Sequence, residues 1–114
     1  MTYQEALALV KSEFSTRRDA DHVEVIRTGM TYDGCHGFCV AVYNYGDRVV
    51  LTDMGQTKDF FFEVADEEWV ALCEENGFTF NHWRIEHSLD SIDDVYAYIN
   101  FLDMISDKYF SFDD

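Results

Sequence analysis

Asp53 follows the apolar run Val49-Val50-Leu51 and stands two residues before Gly55, where a strand ends and the chain turns. A carboxylate at such a point can serve as an acid or base, or it can accept backbone N–H groups across the turn. The turn is the better reading of Asp53 and Gly55, because no base, nucleophile or metal partner is identifiable beside them. Thr57 is then placed to cap the segment KDFFFEV. A second candidate is Cys35-His36-x-x-Cys39. Residues four apart on a strand are about 13 Å apart, too far to share a zinc ion, and they converge only if the loop 34–37 curls back. His82 and His87 point to opposite faces if both lie in one strand. No ligand motif emerges, so neither a metal nor a cofactor is expected.

Nucleophilic chemistry has no better signature. A G-x-S-x-G elbow is absent, and the six glycines are scattered singly rather than gathered into a phosphate loop. Pairing of Cys39 with His36 or His82 cannot be read from spacing, since such partners meet only in three dimensions. A small buried thiol is the default for Cys39. Three cysteines in all, Cys35, Cys39 and Cys73, form no scaffold-like pattern and are expected as free thiols of a reducing, cytoplasmic compartment.

Carboxylates are abundant and unevenly placed. The chain of 114 residues has 23 acids against 8 bases, a formal net charge of −15. Residues 1–58 hold 8 acids and 6 bases, net −2, whereas residues 59–114 hold 15 acids with only Arg84 and Lys108, net −13. Such a field repels nucleic acid and anionic membranes and speeds encounter with basic partners. The one basic cluster, Arg17-Arg18, is flanked by Asp19 and Asp21, so direct nucleic-acid binding is not expected. No stretch approaches 18 consecutive apolar residues, and the first residues lack a signal-peptide pattern.

Elements must position these groups. With 47% apolar residues, 19 aromatics, no proline and no linker-like or repeated tract, the chain reads as one globular α+β domain over 1–114. Tyr3, Leu7, Val10 and Phe14 recur at helical spacing, opposite Gln4, Glu5, Lys11 and Ser12. The polar stretch 16–21 connects to a strand at HVEVIRT, and a turn-rich loop around YDGCHG follows. FCVAVYNYGDRVVLTD makes a hairpin turning at Tyr45-Gly46-Asp47. Both faces of these strands are apolar, which implies a sheet covered on both sides or paired with another subunit.

Asp66 is placed to cap a helix over EEWVALCEEN, whose Trp69, Leu72 and Cys73 face inward and whose Gly77 lies just past its end. Glu67, Glu68, Glu74 and Glu75 share the opposite face, since 67 to 74 and 68 to 75 are each two turns apart. FTFNHWRIEHSL alternates as one further strand. Ser91 or Asp90 caps a closing helix with Ile92, Val95, Tyr96, Ile99, Leu102, Ile105 and Tyr109 in one stripe, and with Asp93, Asp94, Asp103 and Asp107 mostly outside it. Tyr98, Phe101 and Met104 form a second apolar line. They either widen the core stripe or, if exposed, make a patch for a homodimer. The expected order is α-β-β-β-α-α-β-α, with an antiparallel sheet of about four strands.

The run Val49-Val50-Leu51-Thr52-Asp53-x-Gly55-x-Thr57, preceded by the strand Val40 to Tyr43, resembles an uncharacterised bacterial domain family found partly in prophage and mobile-element settings. In that family a strand ends in Leu-Thr-Asp-x-Gly, and a helical stretch leads to a Tyr-Gly-hydrophobic strand start and a closing helix. Asn76-Gly77-Phe78 and the helix from Ser91 occupy the equivalent places, so the resemblance spans residues 22–110. This chain has Arg27-Thr28 where the family often shows Thr-Pro. The resemblance implies a fold and carries no activity with it.

Composition and ridge together point to a small acidic, non-enzymatic interaction module. Glu67, Glu68, Glu74, Glu75, Asp93, Asp94, Asp103 and Asp107 are the residues expected to meet a basic protein, standing where a nucleic-acid-binding enzyme expects phosphates. Phage inhibitors of CRISPR or restriction nucleases have this character. The alternatives are a cytoplasmic domain acting as a homodimer and a hydrolase-type enzyme.

Overall fold

The computed structural model describes residues 1–110; the last four residues of the expected domain, with Asp113 and Asp114, lie outside them. Helix α1 (Tyr3–Lys11) is opened by a capping box in which Thr2 and Glu5 exchange side-chain and backbone bonds, and it buries Ala6, Leu7 and Val10. Strands β1 (Thr16–Ala20), β2 (Val23–Ile26), β3 (Val40–Asn44) and β4 (Val49–Thr52) follow. Two helices, α2 (Gln56–Phe60) and α3 (Asp66–Glu75), then precede β5 (Thr79–Asn81), β6 (Arg84–Ser88) and the long α4 (Ile92–Tyr109).

The strands form one antiparallel sheet in the order β1-β2-β3-β4-β6-β5. Ile26, Val40, Val42, Leu51 and Ile85 pack into a core shared with α1, α3 and α4. By strand alternation their neighbours Val25, Ala41, Tyr43, Val50, Thr52 and Glu86 face the other way. Among the described residues, no helix is long and apolar enough to cross a membrane.

Six strands replace the four expected, for two reasons. The polar stretch 16–21 contains β1, whose exposed Arg17, Arg18 and Asp19 are tolerated because it is an edge strand pairing only with β2. FTFNHWRIEHSL is two strands, not one, because His82 and Trp83 form a two-residue turn with φ of 51° and 67°. Both turn residues thus take the left-handed backbone that such hairpins require, without the asparagine or glycine that advertises it. Left-handed backbone costs an L-residue roughly 1–2 kcal/mol. The pair His82→Asn, Trp83→Gly is therefore expected to stabilise the fold by about 1 kcal/mol, seen as a higher urea midpoint; a lower midpoint would contradict the strain.

Three expected caps and faces also shift. Gly55, at φ 81°, and not Thr57, is the N-cap of α2; Thr57 lies inside the helix with its hydroxyl 2.5 Å from that of Tyr32. Ala65, and not Asp66, precedes α3, so Asp66 sits in the first turn, where a carboxylate still favours the helix dipole. Ser91 is the N-cap of α4, and Asp94 accepts from the N–H groups of Ser91 at 3.0 Å and Asp90 at 2.8 Å. Tyr96, placed in the core stripe by spacing, is 42% exposed, and its hydroxyl donates to Glu13. Tyr98 and Phe101 are instead 0% and 4% exposed, so α4 is turned to put both in the core. They form no dimer patch on the surface, and Met104 is half-buried beside them.

Candidate functional site

The acidic ridge stands clear of the core because α3 buries only Trp69 and Cys73. Glu67, Glu68, Glu74 and Glu75 are all exposed. Trp69 meets Tyr109 at 5.4 Å between ring centroids, and Phe78, just past α3, stacks on Phe101 at 4.2 Å. These two contacts bring the start of α3 to the end of α4 and Phe78 to the middle of α4, whereas Asp103 and Asp107 border a separate cavity with Thr31, Asp33 and Gly34. Asp93 and Asp107 are exposed, whereas Asp94 and Asp103 are half-buried.

Two of the eight carboxylates have local employment. Asp94 holds the start of α4 and lies 3.3 Å from His87 Nε2. Burial raises its pKa, but the Asp90 and Ser91 N–H groups and His87 outweigh this and hold it below the usual carboxylate range. Glu68 accepts the Tyr109 hydroxyl. The nearby cation Lys58 is also engaged: its Nζ binds the Val64 carbonyl at 2.8 Å and Asp66 at 3.0 Å.

Beside the ridge lies a groove of about 370 Å³, lined by Phe60, Phe61, Phe62, Glu63, Val64, Glu68 and Tyr109. Phe62 is 72% exposed there. An aromatic side chain left in water beside two glutamates offers an apolar anchor within a charged rim, which is how protein-binding surfaces concentrate their energy.

The residues singled out for chemistry take structural places. Asp53 is fully buried; its Oδ1 accepts the N–H groups of Gly55 at 2.9 Å and Ile85 at 3.0 Å, and Oδ2 accepts that of Thr57 at 3.2 Å. It ties the end of β4 to α2 and β6. Burial pushes its pKa above the usual carboxylate range, against the pull of its Thr57, Gly55 and Ile85 donors. Cys39 and Cys73 are pushed up to about 11 and about 12 by burial, with the Asp53 charge adding to both, which makes them poor nucleophiles.

Cys35 and His36 sit in a loop built on Asp33, whose carboxylate accepts the N–H groups of Cys35 at 2.9 Å and His36 at 2.7 Å and lies 2.7 Å from His36 Nδ1. The His36 and Cys35 N–H bonds hold the Asp33 pKa down at about 2. Among the described residues, no three histidine, cysteine or acidic side chains are arranged to hold a metal ion. No family model, curated protein or solved structure matches this chain.

A polar cluster that sequence reasoning missed lies on the sheet face opposite the helices. The Tyr45 hydroxyl donates to Glu86 Oε2 at 2.5 Å and accepts from Arg84 Nη1 at 3.2 Å. Asn81 Nδ2 reaches Glu86 Oε1 at 3.4 Å. The Arg48 guanidinium lies over the Tyr45 ring at 4.4 Å, and that of Arg84 over Tyr43 at 5.6 Å. Burial and the Glu86 carboxylate together raise the Tyr45 pKa, so its hydroxyl stays a donor. The signal for this cluster was the every-second spacing of Tyr43 with Tyr45 and of Arg84 with Glu86 and Ser88. It becomes readable once residues 79–88 are divided into two strands.

Proposed function

We propose that the protein is a small acidic, non-enzymatic interaction module that docks a basic protein through α3 and α4. The observation that carries this reading is the exposed set Glu67, Glu68, Glu74 and Glu75 running beside a groove anchored by Phe62. Glu67 to Glu74 spans about 10 Å along the helix axis, on the order of three phosphate steps of one DNA strand, and Asp93, Asp103 and Asp107 add charge on α4 away from the ridge. A groove built to bind nucleic acid presents lysine and arginine at phosphate positions, and carboxylates entering in place of phosphates meet the same positive field. The proposed partner is therefore a basic nucleic-acid-binding enzyme such as a CRISPR or restriction nuclease, inhibited by a phage or mobile-element protein. The likeness of the Leu51-Thr52-Asp53-x-Gly55 turn to a prophage-associated family agrees with that setting.

Inhibition of DNA cleavage by a panel of such nucleases tests the proposal. For a nuclease that is inhibited, binding carried by four exposed carboxylates should weaken as salt rises from about 50 to 200 mM, because ions screen exposed charges. Reversal of Glu67, Glu68, Glu74 and Glu75 to lysine should abolish inhibition. Phe62→Ala should weaken it while leaving its salt dependence intact. Inhibition that survives the fourfold reversal, or that ignores salt, would remove the mimic reading.

A further inference from the structure

We propose that the outer face of the sheet binds a free α-amino acid, its ammonium held by Glu86 and its carboxylate by Arg48. The two side chains line one cup of about 180 Å³ with Val50, Thr79, Asn81 and Ser88. Register brings these residues together: Thr79 and Thr52 flank Glu86 on the neighbouring strands, and Val50 pairs with Ser88.

Glu86 is only 3% exposed. Its carboxylate has the Tyr45 hydroxyl on one oxygen and a long 3.4 Å contact from Asn81 on the other. It makes no ion pair with any lysine, arginine or histidine of the described residues. Arg84 reaches this carboxylate only through the shared Tyr45 hydroxyl, on the Oε2 side, and an ammonium placed against Oε1 on the Asn81 side would complete it. Arg48 supplies the opposite half. Its guanidinium rests on the Tyr45 ring and makes no side-chain hydrogen bond, so its N–H fork is free for a carboxylate. The Thr79 and Ser88 hydroxyls likewise have no hydrogen-bond partner within the described residues.

A negative and a positive group that share a cup without pairing select a ligand carrying both charges close together. An isolated ammonium, such as a lysine side chain or a peptide N-terminus, leaves Arg48 unused, and a phosphate meets Glu86. The cup volume favours a ligand with a small or aliphatic side chain. The site is on the opposite side of the sheet from α3 and is independent of the docking proposal.

Isothermal titration with the twenty free amino acids, repeated with the N-acetyl derivative and the methyl ester of each binder, tests the site. At least one small or aliphatic amino acid should bind at micromolar to millimolar concentration, and both blocked forms should bind at least tenfold more weakly. Glu86→Gln and Arg48→Gln should each cost tenfold or more in affinity, whereas lysine at Glu67, Glu68, Glu74 and Glu75 should cost nothing. Arg48 is exposed, so its variant reports on the site even if the Glu86 variant folds poorly. Absence of binding by every amino acid would overturn the proposal. Equal binding of the N-acetyl form would remove Glu86 from it, and unchanged affinity in Arg48→Gln would remove Arg48; either result overturns it.

Discussion

Asp53→Ala is expected to cost about 3 kcal/mol or more of stability, because it strands two buried backbone donors and a part-buried one at once. The N–H groups of Gly55, Thr57 and Ile85 all end on the Asp53 carboxylate, and a buried donor left without a partner costs about 1–3 kcal/mol. A small domain has on the order of 5–15 kcal/mol in total, so the variant should melt far below the wild type. Asp53→Asn keeps one acceptor oxygen for Gly55 and Ile85 and loses the bond to Thr57, so its cost should be smaller. Gly55→Val should be damaging for a separate reason: Gly55 has φ 81°, a left-handed backbone that a β-branched residue adopts only under strain.

The pH dependence of the Asp53 contribution has a definite sign. Its folded pKa lies above the unfolded value of about 3.8, so the native state holds the proton more tightly. Its contribution is fully present below pH 3.8 and is progressively lost as pH rises toward the folded pKa. Asparagine does not titrate, so the stability gap between wild type and Asp53→Asn should narrow as pH rises from 3. Chemical denaturation at several pH values measures all of this. Equal stability of wild type, Asp53→Ala and Gly55→Val would refute the turn role.

What was legible in the sequence divides along physical lines. Helices α1, α3 and α4 show themselves because their buried residues recur at three- and four-residue spacing, and the β3–β4 hairpin because alternation breaks at a glycine turn. Strand β1 is hidden because an edge strand with one neighbour has no need of apolar residues. The β5–β6 turn is hidden because His82 and Trp83, both exposed, take positive φ at a two-residue turn, a conformation their types do not announce. Thr57 was misplaced because its hydroxyl is used by Tyr32, a partner 25 residues away, rather than by its own helix.

The candidate sites divide in the same way. The glutamate ridge is a property of one helix, so two-turn spacing alone places Glu67 with Glu74 and Glu68 with Glu75. The Tyr45–Glu86 cup joins residues 41 apart and needs the β4–β6 pairing before it exists. Surface charge was therefore readable locally, whereas the polar cluster required the topology.

The second large effect is expected at Phe101, where spacing left two readings that burial separates. Phe101 is 4% exposed and stacks on Phe78 with an interplanar angle of 8°. Its neighbour Tyr98 is fully buried and donates its hydroxyl to the Ile85 carbonyl at 2.5 Å, pinning α4 to β6. Phe101→Ala should cost about 3–5 kcal/mol through lost burial and the cavity left behind. Phe101→Asp should cost more, since it adds an unpaired carboxylate to the same space, and should leave the chain largely unfolded at 25 °C. Met104→Ala, at a half-buried position, should cost less than Phe101→Ala. If Phe101 instead sat at a dimer interface, Phe101→Asp would give a folded monomer of 13.3 kDa whose thermal midpoint no longer depends on protein concentration. Circular dichroism melts at two concentrations, with light scattering on the same samples, distinguish the outcomes. A folded, monomeric Phe101→Asp would place the ring on the surface and overturn the observed rotation of α4.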